Sequence, residues 1–429
     1  RKEVRVPANE SGTFPWNMME GCQGIIASNK QPEDFWSLPE ELVILVFSHL
    51  TPRDLCAVAG VCKEWNRWSK EASIWRELLL KTIPEAASPV GYDFYRTFRF
   101  LNTLSWKKLK LTCSTDSPVN YSSHSDCVWK NFYVSFGGFR GAGLCAPSVF
   151  AVDLSSIDDA KFLRFHPADS SLRKEALLTE EDRPSSEPSP PPVSDHRAVL
   201  VGSRYFVFGG WNSDGPSLFI NYFDFDEEKW HLRVCEGVKR SRHSATLLQD
   251  KKTVLIFGGQ GIETTDLTRH TQTNILDSGV LFDTESLKIS PVVTTGTPPA
   301  PRMCHSATLI GSRLYIFGGD NNVDQIDEES PMHVLDTETM EWSTIPAAGT
   351  PPPMLSDHSA VRFEHFLIIF GGATQVNKKY VPSNAVYVFD TKLAVWFRPQ
   401  VHGDPPAPRR WHSAANVENR HMAVFGGTN

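Results

Sequence analysis

Two hydrophobic rhythms divide the chain. Between Ser37 and Leu80 apolar residues recur at steps of three and four, the period of helices with one buried face. Ser37-Leu38-Pro39-Glu40 predicts the first start: Ser37 and Glu40 stand at capping-box spacing, and Pro39 falls in the first turn, where a missing N–H costs nothing. Leu42, Leu45, Val46, His49 and Leu50 continue as one mostly apolar stripe. Thr51-Pro52-Arg53-Asp54 repeats the start signal, and a second helix carries Leu55, Val58, Ala59, Cys62 and Trp65. A third segment aligns Ile74, Trp75, Leu78 and Leu79. Three short helices in about 45 residues cannot bury this much apolar surface among themselves, so the pattern predicts a partner.

From about Ser105 the texture changes to β-branched and aromatic runs cut by glycine. Six Phe-Gly-Gly triplets end such runs, with doublets at Gly137-Gly138, Gly209-Gly210, Gly258-Gly259, Gly318-Gly319, Gly371-Gly372 and Gly426-Gly427. Their spacings are 72, 49, 60, 53 and 55 residues. A histidine precedes each by 13 to 15 positions: His124, His196, His243, His305, His358 and His412. The last four open a His-Ser-Ala. An apolar-Asp pair follows five doublets, at Asp153, Asp224, Asp283, Asp336 and Asp390, and Trp230, Trp342 and Trp396 lie six residues beyond their aspartates. A repeat of about 50 residues that builds one four-stranded sheet buries its faces only against its neighbours, so the sheets stack in a ring.

These landmarks carry two resemblances. Leu38-Pro39-Glu40, Phe47-Ser48-x-Leu50, Asp54-Leu55, Val61-Cys62-Lys63-x-Trp65 and Ile74-Trp75 resemble the F-box, with Ile74 where leucine or valine is usual. The glycine doublets, histidines and tryptophans resemble kelch repeats. The fold expected is therefore a small all-α F-box followed by an all-β kelch-type propeller of about six blades. Its divisions are a polar tail over 1–34, the F-box over 35–82, a connecting segment over 83–104 and the propeller over 105–429. The acidic, Pro/Ser-rich insert at about 155–193 reads as a disordered loop. Ile289 replaces the outer tryptophan of the third blade. The sixth repeat stops after its second strand. Trp106 is placed to supply its outer strand, and its third strand comes either from 90–104 or from chain beyond Asn429. Arg1 in place of Met points to a fragment or a processed chain.

The F-box resemblance implies docking onto a Skp-type adaptor of a cullin ubiquitin ligase through Leu38, Pro39, Leu42, Val46, Phe47, Leu50, Asp54, Leu55, Val61, Cys62 and Trp65. The propeller would hold a protein client. Loops after the second and fourth strands share one face, and Arg140, Trp211, Asn212, Arg269, Asn321 and Arg410 are the expected client contacts there. This basic, partly aromatic face fits an acidic or phosphorylated client. Arg240, Arg302 and Arg409 all stand three residues before a histidine and read as repeat scaffolding.

Composition removes other classes. A net charge of −7 offers no basic field for nucleic acid. No run of 18 apolar residues exists to span a membrane. Eight cysteines without a C-x-x-C pair fit reduced thiols and a cytoplasmic or nuclear protein. Histidines repeated in every blade read as scaffold, since a metal centre needs different residues from different blades. Glu263, Asp266 and His270 come near the iron motif of kelch-type specifier proteins but at altered spacing. No hydrolase, zincin or P-loop motif occurs. No metal, cofactor or catalytic residue is expected. The alternatives are a kelch metalloenzyme and a kelch scaffold without turnover.

Overall fold

The computed structural model describes residues 39–81, 91–109, 111–112, 121–140, 144–145, 149–155, 160–165, 190–191, 193–212, 215–217, 219–234, 239–262, 274–321, 331–346, 348–377 and 379–429. The chain forms two compact units, 1–103 and 104–429.

The first unit is helical: α1 (Glu40–Phe47), α2 (Pro52–Val58), α3 (Lys63–Trp68), α4 (Ala72–Leu80) and α5 (Phe94–Thr103). Two expectations change. The N-cap of α1 is Pro39, which offers no side-chain acceptor, and Ser37 lies outside the described residues. The second apolar stripe is split between two helices, because the chain turns at Ala59–Gly60 and restarts with Cys62 capping α3. Thr51 caps α2 as expected, its side chain accepting from the Asp54 N–H. Phe47 packs edge-on against Trp65 at 5.6 Å. The segment expected to connect the units instead forms α5, whose Tyr95 and Phe98 each lie 5.0 Å from the Trp75 ring. Among the described residues no helix is long and apolar enough to cross a membrane.

The second unit is a ring of six blades. Five have four antiparallel strands in sequence order; the fifth, for example, runs Ser359–Phe363, Phe366–Phe370, Val386–Asp390 and Val395–Phe397. The first blade's outer strand is Ala160–Phe165, so the start of the expected disordered insert is a strand, while 166–189 lie outside the described residues. The sixth blade has Arg410–Val417 and His421–Thr428. Its outer strand is the segment of Trp106, where Ser105 bridges His402 in parallel and the Trp106 N–H donates to the His402 carbonyl at 2.8 Å. The third strand does not come from 90–104, since that segment is α5.

Tryptophans join the blades. Trp230, Trp342, Trp396 and Trp106 lie 4.9, 5.3, 5.0 and 4.8 Å from Phe136, Phe257, Phe317 and Phe370, the phenylalanine before the previous blade's glycine doublet. Ile289 occupies the corresponding position in the third blade, opposite Phe282. The doublets answer two close approaches. A Cβ on Gly318 (φ +66°) would meet the Leu355 carbonyl of the next blade at 2.3 Å, and one on Gly319 (φ +101°) the Met303 carbonyl of its own blade at 2.7 Å. Each third-strand aspartate caps the turn that follows, as Asp390 does by accepting from the Lys392 and Leu393 N–H groups at 2.9 Å.

Candidate client-binding face

All six in-phase histidines are buried at the channel end of the blades, and four of them reach a serine of the preceding blade. His305 Nε2 lies 2.9 Å from Ser244 Oγ, His358 Nε2 2.8 Å from Ser306 Oγ and His412 Nε2 2.9 Å from Ser359 Oγ, always the serine of the preceding blade. His124 closes the series on Ser413 at 2.6 Å. Burial pushes the pKa of His124, His196 and His412 down to about 3 and that of His358 to about 4, and holds His243 and His305 well below the ordinary value. Neutral imidazoles pinned blade to blade are scaffold chemistry. The arginines three residues upstream belong to it as well. Arg240, Arg302 and Arg409 donate to the Gly258, Gly318 and Gly426 carbonyls at 3.2, 2.9 and 2.7 Å.

The residue immediately before each histidine behaves differently. Ser123, Asp195, Arg242, Cys304, Asp357 and Trp411 all take left-handed backbone, with φ between 54° and 59°. Their N–H groups form a closed circle. Ser123 donates to the Trp411 carbonyl, Asp195 to Ser123, Arg242 to Asp195, Cys304 to Arg242, Asp357 to Cys304 and Trp411 to Asp357, at 2.8 to 3.2 Å. That circle shows the ring closed at six blades. It also gathers six side chains of five kinds at one end of the channel.

The gathered groups are of mixed charge. Arg242 Nε lies 3.6 Å from the Asp195 carboxylate, and Arg410 Nη1 lies 3.9 Å from that of Asp357. The Arg410 guanidinium sits 3.7 Å over the Trp411 ring and 5.2 Å from the centre of Tyr380. Tyr380 donates to the Asp320 carboxylate. Burial raises the Asp357 carboxyl against the opposing pull of Arg242 and Arg410, and raises the Cys304 thiol well above its ordinary range. A deeply desolvated thiol is a poor nucleophile.

Of the expected client contacts, Arg410 stands within this mouth. Trp211, 36% exposed, bridges Ser194 beside Asp195, and Asn321 follows Asp320, which bridges Met303 beside Cys304. Asn212 is half-buried in the short hairpin after Trp211. The Arg140 backbone pairs with Tyr121, and its side chain lies outside the described residues, as does Arg269. The basic face expected from sequence is corrected to a mixed one, because Asp195, Asp320 and Asp357 stand among its arginines. Asp195, Cys304, Asp357, Trp411 and Tyr380 are the mouth residues that sequence reasoning missed. The available signal was position: the pre-histidine site is where six otherwise similar repeats disagree.

On the helical unit, Leu42 and Leu45 are 44% and 45% exposed, and Pro39 is exposed as well. Leu50, Asp54, Val61 and Cys62 are half-buried. Val46, Phe47, Leu55 and Trp65 turn inward and form the unit's own core. Leu38 lies outside the described residues, as do Glu263, Asp266 and His270. Among the described residues no group of three or more histidine, cysteine or carboxylate side chains converges as a metal site.

Comparison with known proteins places both units. Residues 195–427 match the model of the KLHDC2/KLHL20/DRC7 Kelch-repeats domain, and 35–81 match an F-box-like domain. Kelch domain-containing protein 3 of Homo sapiens is 30% identical over 262 residues, covering 55% of this chain and 64% of that protein. Acyl-CoA-binding domain-containing protein 4 of Arabidopsis thaliana is 29% identical over 248 residues, covering 55% of this chain and 35% of that protein. The chain thus spans less than two thirds of these relatives' lengths. The solved structure of YjhT superposes with a TM-score of 0.54 at 13% identity, covering 73% of this chain and 93% of that one, a likeness of fold alone.

Proposed function

Because the chain belongs to the kelch-repeat family and joins to its repeats an F-box-like domain, we propose that it is the substrate-recognition subunit of an SCF-type cullin ubiquitin ligase. The F-box and kelch repeats together support a substrate-adaptor role, and an F-box implies a Skp-type partner. The observation that carries the reading is the exposed pair Leu42 and Leu45 on a helix whose Val43, Val46 and Phe47 are already buried inside. A small helical unit that spends Val46 and Phe47 on its own core and still presents two leucines one turn apart is built to be covered.

The mechanism is proximity. The helical unit fixes the chain to adaptor and cullin scaffold while the propeller mouth holds a client, which raises the effective concentration of client lysines at the charged enzyme. The chain's own contribution is binding rather than bond making. At the mouth, Arg242 and Arg410 supply guanidinium donors and Trp411, Tyr380 and Trp211 supply aromatic faces. An acidic or phosphorylated segment supplies oxygen acceptors for those guanidinium donors, and Asp195, Asp320 and Asp357 repel carboxylates placed out of register, which favours one docking position over many. The reaction is proposed for the cytoplasm or nucleus. The deciding experiment compares the full chain with a Leu42→Ala/Leu45→Ala variant in cells. Client capture that persists while client ubiquitination and adaptor co-purification are lost supports the ligase reading. Ubiquitination that continues unchanged sinks it.

A further inference from the structure

At the seam of the fifth and sixth blades the propeller breaks its own repeat. First strands run away from the pre-histidine circle, so the turns between first and second strands, and between third and fourth, lie at the end opposite the channel mouth. Four residues after the histidine, Val128, Leu200, Leu247 and Leu309 pack into the apolar core shared with the preceding blade. The fifth and sixth blades carry Arg362 and Asn416 there. Two residues after the third-strand aspartate, the first four blades carry Ser155, Asp226, Glu285 and Glu338, and the fifth carries Lys392. An apolar position and an acidic one have both become basic in one blade.

These departures meet. Arg362, Glu364, His365 and Lys392 of the fifth blade and Asn416 and Asn419 of the sixth line an open cavity of about 600 Å³, within the range of small-molecule sites. Hydrogen bonds fix its walls. Arg362 donates from Nε to the Glu364 carbonyl at 2.9 Å and from Nη1 to the Leu309 carbonyl at 3.5 Å. Asn416 donates to the Arg362 carbonyl at 2.6 Å and to Asn419 Oδ1 at 3.2 Å, and accepts from the Asn419 N–H at 2.9 Å. His365 Nε2 lies 3.5 Å from the fully buried Asp390 carboxylate, so its ring serves the wall. Arg362 Nη2, the Lys392 ammonium and the Asn419 amide NH2 take no partner among the described residues.

Three donors in one cavity, two of them cationic, call for an anion with several oxygens, and a phosphate monoester carries three. The cavity is also larger than a phosphate, and the Glu364 carboxylate lines it beside the cations. A bare phosphate meets that carboxylate only as a like charge, whereas a hydroxylated carrier donates hydrogen bonds to it. We propose that this cavity binds the phosphate monoester of a polyol, its phosphate held by Arg362, Lys392 and Asn419 and its hydroxyls by Glu364. The site lies at the far end of the propeller from the client face and does not depend on the ligase reading.

The test titrates the full chain with glucose 6-phosphate, glucose and inorganic phosphate by calorimetry. Glucose 6-phosphate should bind at one to one and about tenfold or more tightly than inorganic phosphate, with glucose alone weaker still. Arg362→Leu and Lys392→Glu restore the residues of sister blades, so both should keep the parent melting curve while each weakens binding about tenfold or more. Lys392 stands on an exposed turn, so its variant remains a fair test whatever Arg362→Leu does to the fold. Sedimentation with phosphatidylcholine vesicles carrying phosphatidylinositol 4-phosphate separates the sources: vesicle binding that both variants lose assigns the same phosphate chemistry to a headgroup. The proposal is overturned if neither glucose 6-phosphate nor these vesicles bind. It is equally overturned if inorganic phosphate binds as tightly as glucose 6-phosphate, an adventitious ion only, or if a phosphoserine peptide binds more tightly than either. Binding that Arg410→Ala removes and Arg362→Leu keeps would place the anion at the channel mouth and overturn it too.

Discussion

Replacing Leu42 and Leu45 by alanine separates a surface that binds from a core that folds. Both leucines lie on α1, and each leaves 44–45% of its surface in water. That corresponds to roughly 80 Å² apiece, or about 160 Å² for the pair, worth about 4 kcal/mol on complete burial at ~25 cal/mol per Å². Alanine keeps the Cβ, so the double substitution should remove about 2.5 kcal/mol of adaptor binding, on the order of 70-fold in Kd. The exposed positions contribute little to the fold, and alanine is a better helix former than leucine, so the far-ultraviolet melting curve should not move by more than about 0.5 kcal/mol. Phe47→Ala is the opposite case. Its ring is 1% exposed against Trp65, and truncation should cost about 3–5 kcal/mol of stability in a unit that has little to spare. The assay is titration calorimetry of each purified variant with a Skp-type adaptor, beside thermal melts. A double variant that is folded and binds within threefold of the parent would refute the assignment of α1 as the docking surface.

Trp106→Ala removes the half-buried ring that packs on Phe370 and should lower propeller stability by about 2 kcal/mol, while Trp211→Ala should cost less than about 0.5 kcal/mol; equal shifts in melting temperature would argue against closure by the Trp106 segment. Acid should destabilise the propeller early. The buried histidines have folded pKa values of about 3 to 4, below their unfolded value near 6.5, so the unfolded state alone takes up protons as pH falls from 6.5 toward 4. Each such histidine then contributes a loss on the order of 1 kcal/mol per pH unit. Asp126, whose folded pKa is raised to about 6, offsets about one of them over the same window. Denaturant titrations between pH 7 and 5 should show the loss, and His358→Gln should lessen the slope by about one histidine's share; a flat profile would contradict the assignment. Arg242→Ala and Trp411→Ala should each weaken client capture by roughly tenfold without changing adaptor binding, and capture should fall with added salt, read by pulldown at low and high ionic strength. Retention of every client by both variants would move the site away from the channel mouth.

The architecture was legible because it is redundant. Six Phe-Gly-Gly triplets and six histidines in phase state the same unit several times over, so losing Trp to Ile289 in one blade does not obscure it. Trp106 could be assigned to the far end of the chain for the same reason, since its partner Phe370 is one of a series. What failed was local. Gly60 stops a stripe whose spacing alone looked continuous, and Ala160–Phe165 is a strand that the polar composition around it concealed. α5 had a helical signal in Phe94, Thr97 and Leu101, with Asp93 accepting from the Arg96 N–H at 2.9 Å at its start, but the sequence reads there as a connection after two prolines and a glycine.

The mouth was illegible for a more general reason. In five of the six repeats a serine follows the histidine, and these groups and the arginine that often precedes them are fixed by the scaffold: an imidazole on a hydroxyl of the preceding blade, a guanidinium on a carbonyl of its own blade. The pre-histidine residue meets its own structural demand with backbone alone, through a left-handed φ and an N–H given to the circle. Nothing in the scaffold constrains its side chain, so the position carries Ser, Asp, Arg, Cys, Asp and Trp in turn and looks like noise when repeats are laid over one another. Closing the ring makes those six positions neighbours. The freedom that hides them in sequence is therefore the condition for a composite site, because a surface assembled from six identical side chains could offer only a symmetric ring of one chemistry. Here Arg242 lies beside Asp195, and Arg410 lies between Asp357 and the faces of Trp411 and Tyr380. Six repeats of one scaffold thus present an asymmetric pattern of charge and aromatic surface, which is what discrimination among clients requires.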